Sequence, residues 1–116
     1  MDETMITLYR PVGPEELALL QANRFLRWPP RLPDQPIFYP VTNEGYAIEI
    51  ASKWNVNESG CGFVTRFRVN KAFMDKFPIQ QVGSSSHTEW WVPAERLEEL
   101  NDNIVGVIEV IHEFNK

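Results

Sequence analysis

Residues 87–93 read His-Thr-Glu-Trp-Trp-Val-Pro. The stretch is rich in β-forming residues and closes on a proline, so it reads as a strand over Thr88–Val92. Side chains alternate across a strand. His87, Glu89 and Trp91 therefore share one face, and Thr88, Trp90 and Val92 share the other. With Trp90 and Val92 in a core, Glu89 looks into a space walled by Trp91. A carboxylate against apolar walls is costly unless it has partners or a task. The plain alternative is a half-exposed glutamate on the solvent side of a strand, and alternation alone favours it.

Nearer the N-terminus, Met5–Arg10 alternates and predicts a first strand. Gly13-Pro14-Glu15-Glu16 opens a helix, with proline at its first position and acids at its positive end. Leu17, Leu20, Ala18 and Phe25 are the candidates for its buried face. Trp28–Pro40 holds five of the nine prolines. Proline removes donors and fixes φ, so this is a stiff extended loop leading into a short strand at Ile37–Val41. Thr42 or Asn43 caps a helix that runs to Trp54. Tyr46, Ala47, Ile50, Ala51 and Trp54 recur at helical spacing and read as its core face. Asn55–Gly62 reads as a turn that contains Cys61.

The second half is richer in strands. Phe63–Val69 puts Phe63, Thr65, Phe67 and Val69 on one face, and Val64, Arg66 and Arg68 on the other. A helical turn over Lys71–Phe77 comes next, then a short strand at 79–82. The turn Gly83–Ser86 leads into the quoted stretch. Pro93–Asn101 forms a short helix, and Val105–Phe114 a last strand with a half-exposed face. The order predicts an α+β domain, with helices packed on a largely antiparallel sheet.

The whole chain of 116 residues suits one domain, 1–116. A net charge of −5 argues against generic nucleic-acid binding, which needs a basic face. No apolar run is long enough to span a membrane, and the acidic start lacks the pattern of a signal peptide, so the expected address is the cytoplasm. The lone Cys61 makes no disulfide within the chain and has no neighbouring base to activate it. His87 and Glu89 share a face, yet nothing supplies a third and fourth metal ligand. Glycine-rich phosphate loops and a nucleophile elbow are both missing. Pro30-Arg31-Leu32-Pro33 fits a PxxP ligand of SH3-type domains, but a rigid surface loop is the commoner meaning.

Three short stretches in order resemble the ADP-ribosyltransferase superfamily, including the catalytic domains of poly-ADP-ribose polymerases. Leu8-Tyr9-Arg10 resembles its opening strand motif. Ile37-Phe38-Tyr39, followed by Thr42–Trp54, resembles the strand that runs into a helix. Glu89-Trp90-Trp91-Val92 resembles the strand that opens on the catalytic glutamate, and Ile104–Val110 a further strand. The chain is also similar to small bacterial proteins labelled ADP-ribosylation/crystallin-related, although the acidic metal motifs of the longer hydrolases of that name do not occur. The resemblance implies an ADP-ribosyltransferase-like α+β fold: a small split, largely antiparallel β-sheet core with two or three helices.

It also implies a use of NAD as substrate, or a binding of ADP-ribose. Glu89 would stabilise an oxocarbenium-like ribose, Tyr39 stack on the nicotinamide, and Trp91 wall the pocket. Arg10 would hold ribose or pyrophosphate, Arg31 a phosphate, and His87 would activate an acceptor or water. The chain departs from the family at two points. Arg10 with Tyr39 mixes its two usual triads, and His87 stands where arginine-modifying members carry Glu or Gln. Three functions are open to such a chain: an ADP-ribosyltransferase or NAD glycohydrolase, a non-catalytic nucleotide-binding module, or an interaction domain that uses its proline-rich loop.

Overall fold

The computed structural model describes residues 4–116. The fold is α+β, with antiparallel sheets. Strand β1 (Met5–Val12) is followed by helix α1 (Pro14–Ala22), the proline-rich loop and a two-residue strand, β2 (Ile37–Phe38). Helix α2 (Glu44–Glu49) passes into a π-helical stretch (Ile50–Asn55) and then α3 (Val56–Ser59). Strand β3 (Cys61–Asn70) leads to α4 (Lys71–Met74), β4 (Ile79–Gln81), β5 (Thr88–Trp90) and β6 (Val92–Pro93). A 3₁₀ turn and α5 (Leu97–Asp102) precede the last strand, β7 (Ile104–Asn115).

The long strands form a sheet in the order β1-β3-β7, all antiparallel. The predicted strand over Thr88–Val92 is broken at Trp91. Its first part, β5, pairs with β4, and its second part, β6, pairs with β2. Val41 joins the two halves of the molecule, forming a bridge to Tyr9 on one side and to Glu89 on the other. Ile37↔Pro93, Phe38↔Val92 and Val41↔Glu89 keep a single register, so residues 37–41 track residues 89–93 as one interrupted ladder.

The ladder between β1 and residues 37–41 stops short, and the sequence says why. Tyr9 and Val41 exchange both backbone bonds, at 3.1 and 2.7 Å. Alternate antiparallel pairs carry these exchanged bonds, so the next such pair would be Pro11 with Tyr39. Pro11 has no N–H to give. The Tyr39 carbonyl is met instead by Nη1 of Arg10, at 3.5 Å. Beyond Val41 the sheet is split, and the strands part around an opening.

Each face of the sheet has its own core. Leu8, Val12, Phe63, Phe67 and Val69 meet Leu20, Trp28, Phe38, Trp90, Leu97 and Leu100 on the first face. Trp28 packs on Phe38 and Phe67, with ring centroids 5.3 and 5.1 Å apart. The proline-rich loop is tied down at its start. Buried Asn101 accepts from Trp28 N–H (2.8 Å) and donates to its carbonyl (3.0 Å). On the second face, Val41, Ala47, Ala51 and Val64 pack with Tyr9, Tyr46, Ile50 and Ile111.

Several expectations change. On α1 Leu20 is buried and Leu17 half-buried, while Ala18 is exposed and Phe25 lies beyond the helix end. Cys61 opens β3 rather than sitting in a turn, because the helix continues to Ser59 and ends on Gly60 in the left-handed region (φ 83°). Asn43 does cap α2, its Oδ1 accepting from Tyr46 N–H at 2.7 Å. Trp54 is not a core residue: it is 65% exposed. Val56 N–H bonds the carbonyl of Ala51, five residues back. This wider turn changes the angular phase of the helix, so the 3.6-residue spacing that pointed Trp54 inward no longer applies.

The π-helical stretch lies hard against β3. A Cβ on Gly62 would collide with the Ala51 carbonyl oxygen and stand 2.8 Å from the Asn55 Cβ. Backbone that close has to move. Gly62→Ala is therefore expected to destabilise the protein by about 1–3 kcal/mol, the usual cost of overpacking. Chemical denaturation checks it; an unchanged midpoint would show that the helix and β3 part freely.

Candidate functional site

The split in the sheet opens a cleft of about 370 Å³, lined by Arg10, Pro11, Tyr39, Val41, Ile50, Trp54, Asn55 and Glu89. That volume falls in the range of small-molecule sites. Arg10, Tyr39 and Glu89, taken from three distant parts of the sequence, thus meet at one opening. They reach it from different sides. Arg10 lies between Leu8 and Val12, which belong to the first core, whereas Glu89 bridges to Val41 of the second. A closed sheet would keep them apart, and the split lets both face the same space.

Glu89 is only 8% exposed. Both carboxylate oxygens are bonded, and both donors are neutral. Trp91 Nε1–H donates to Oε1 at 2.7 Å, and the Tyr46 hydroxyl donates to Oε2 at 3.2 Å. Among the described residues no cation pairs with this carboxylate. Tyr46 responds to this proximity: burial first, then the charge of Glu89, pushes its hydroxyl up from the ordinary 10.0 to about 12.

Arg10 is handled in the opposite way. It is 9% exposed. Its Nε and Nη2 make a two-pronged bond to Glu16, at 2.7 and 2.9 Å. Its guanidinium lies 4.6 Å from the centre of the Phe38 ring and 5.7 Å from that of Trp28. Nη1 bonds the Tyr39 carbonyl, and each terminal nitrogen keeps a second N–H. Arg31 also sits over Phe38, at 5.7 Å, and lines a second, smaller cavity with Glu15, Glu16 and Leu32. Its Nε is buried without a hydrogen bond. Burial, followed by repulsion from Arg10, lowers its pKa.

The remaining predicted residues do not line the cleft: Arg31 belongs to the second cavity, and Trp91 and His87 stand behind the lining. Trp91, 39% exposed, packs edge-on against Tyr39 with centroids 6.4 Å apart. His87 turns to Glu49, at 3.0 Å, and stacks on the Tyr46 ring at 4.5 Å. Among the described residues no group of three or more His, Cys, Asp or Glu is placed to hold a metal ion. Nor is any helix among them long and apolar enough to cross a membrane.

Sequence reasoning did not find Glu16, Tyr46, Trp54 or Asn55. Glu16 reads as a helix-end acid, and its partner lies six residues back across a turn. Tyr46 and Trp54 carry the apolar spacing of a core face, which gives no hint of a hydroxyl or an indole put to use. Compared with family models, curated proteins and solved structures, the chain matches none.

The raised Tyr46 pKa carries a stability consequence. Its neutral form is favoured in the fold, so the stability it contributes is present below pH 10.0 and is lost as the pH climbs from there to about 12. Tyr46→Phe is expected to flatten this alkaline decline. Denaturation midpoints measured across that range check it; an equally steep decline in the variant would place the titrating group elsewhere.

Proposed function

We propose that the cleft binds NAD and cleaves its nicotinamide–ribose bond, as an ADP-ribosyltransferase or NAD glycohydrolase of the superfamily that the sequence resembles. One observation carries this reading. A buried carboxylate, held by two neutral donors, faces the same opening as Arg10 and Tyr39. In the reaction the C1′–N bond breaks and its electron pair leaves with neutral nicotinamide. Positive charge develops on the ribose, and a fixed anion stabilises it more than it stabilises the ground state. An acceptor or water then attacks C1′ and loses a proton.

Each side chain has a place in this scheme. Glu89 stabilises the ribosyl cation. Tyr39 and the exposed Trp54 offer aromatic surface for the planar ring. Trp91 holds Glu89 and walls the opening beside Tyr39. Arg10 offers its remaining N–H groups to one phosphate, and Arg31, which shares the Phe38 ring with it but lines the second cavity, takes the other. Glu16 keeps the rest of the Arg10 fork, so that contact is directional rather than enveloping.

A second reading has its own support. His87, the residue expected to activate an acceptor, is bonded to Glu49 and stacked on Tyr46. A cleft whose expected base, His87, is engaged elsewhere suits a module that binds ADP-ribose or a related nucleotide without chemistry. Calorimetric titration with NAD, paired with an assay of nicotinamide release, separates the two. For the catalytic reading, Glu89→Gln is expected to retain NAD binding while the release rate falls about 10²–10³-fold, the scale for losing one preorganised electrostatic group. Tight binding with no release by the unaltered protein would favour the binding module, and unchanged release by Glu89→Gln would remove Glu89 from the chemistry.

A further inference from the structure

Glu89 does not stand alone in β5; it is part of a layer built between that strand and the start of α2. Asn43 caps the helix by accepting from Tyr46 N–H, and its side-chain amide donates to the Ser86 carbonyl at 2.8 Å. Thr42 N–H bonds the Thr88 carbonyl at 3.1 Å. The Tyr46 ring lies flat on His87, at 4.5 Å and an interplanar angle of 13°, and His87 is fixed in turn by Glu49 of the same helix. Backbone, cap and ring stack thus set where the Tyr46 hydroxyl points before any ligand arrives.

It points at Glu89 Oε2, while the Trp91 indole takes Oε1. A glutamate with a free terminal torsion spreads its carboxylate over a broad range of angles. Donors on both oxygens, one from the helix and one from the strand, stop that rotation. We propose that Tyr46 is a positioning residue of the site: its hydroxyl, opposed by the Trp91 N–H, fixes the plane of the Glu89 carboxylate for the developing charge on the ribose. His87 is then the platform for Tyr46, and its stacking explains why a histidine stands two residues before the acid. This role rests on the NAD-cleaving reading, because a carboxylate plane matters most where charge develops at a defined atom.

Tyr46→Phe tests the role with little risk to the fold, since the ring and its stack on His87 remain. The kinetic expectation is a split: kcat for nicotinamide release drops about tenfold to a hundredfold, as for a reacting group displaced by an ångström, while KM stays within about twofold. Trp91→Phe is expected to lower kcat in the same direction. An unchanged kcat in Tyr46→Phe, or a change confined to KM, would overturn the proposal. A second readout needs no turnover. In the NMR spectrum the Trp91 indole N–H reports its bond to Glu89, and Tyr46→Phe is expected to shift it as the carboxylate relaxes. If the unaltered protein releases no nicotinamide, the NAD-cleaving reading fails and the indole signal judges the clamp: movement in Tyr46→Phe supports it, and an unmoved resonance overturns it.

Discussion

A missing N–H on Pro11 shapes most of what is distinctive in this molecule. The bridge between Tyr9 and Val41 is complete, and the next pair in register would need a donor that proline lacks. Residues 37–41 therefore stay with residues 89–93 and leave β1. Val41 carries the backbone bridge between the two partial sheets, and the cleft opens beside it. Arg10, one residue before the proline, takes up the stranded Tyr39 carbonyl with its side chain. The split thus draws a buried cation to the edge of the opening by the same missing donor that creates it.

The two charged residues at this opening are stabilised by opposite means. Arg10 is matched by Glu16 and by the faces of Phe38 and Trp28, so its charge is largely answered inside the protein. Glu89 is bonded by a phenol and an indole, which satisfy its oxygens and leave its charge. A buried ion without a countercharge is a standing cost to the fold. Such costs gather where a protein does something with them. The aromatic side chains around it, Tyr39, Trp54 and Trp91, are all exposed, although each is large and apolar enough to bury.

Much of this is legible in the sequence because alternation is a strong signal. It separates Trp90 and Val92 from Glu89 and Trp91, and it places the two faces of β3 on different sides. The cap at Asn43 and the stop at Pro93 are legible for equally local reasons. The features that stay hidden depend on distance or on irregular backbone. The phase slip belongs to a π-helical stretch that lies hard against Gly62, and no spacing rule anticipates it, so helical spacing alone assigns Trp54 to the core. The pairing of Arg10 with Glu16 depends on how α1 returns over the sheet. The clamp on Glu89 depends on α2 crossing β5. The break at Trp91 is also invisible, because β5 and β6 lie on one continuous stretch of chain and differ only in their partners.

The opening at the split is the site proposed for NAD. Four tryptophans offer an internal control: Trp54 lines the cleft, Trp91 touches its Glu89 and Tyr39, and both are exposed, while Trp28 and Trp90 are buried in the first core. An NMR titration with NAD that tracks the four indole N–H signals tests the site directly. The expected result is progressive movement of the Trp54 and Trp91 resonances, with those of Trp28 and Trp90 unmoved. Stationary Trp54 and Trp91 signals at saturating NAD would contradict it.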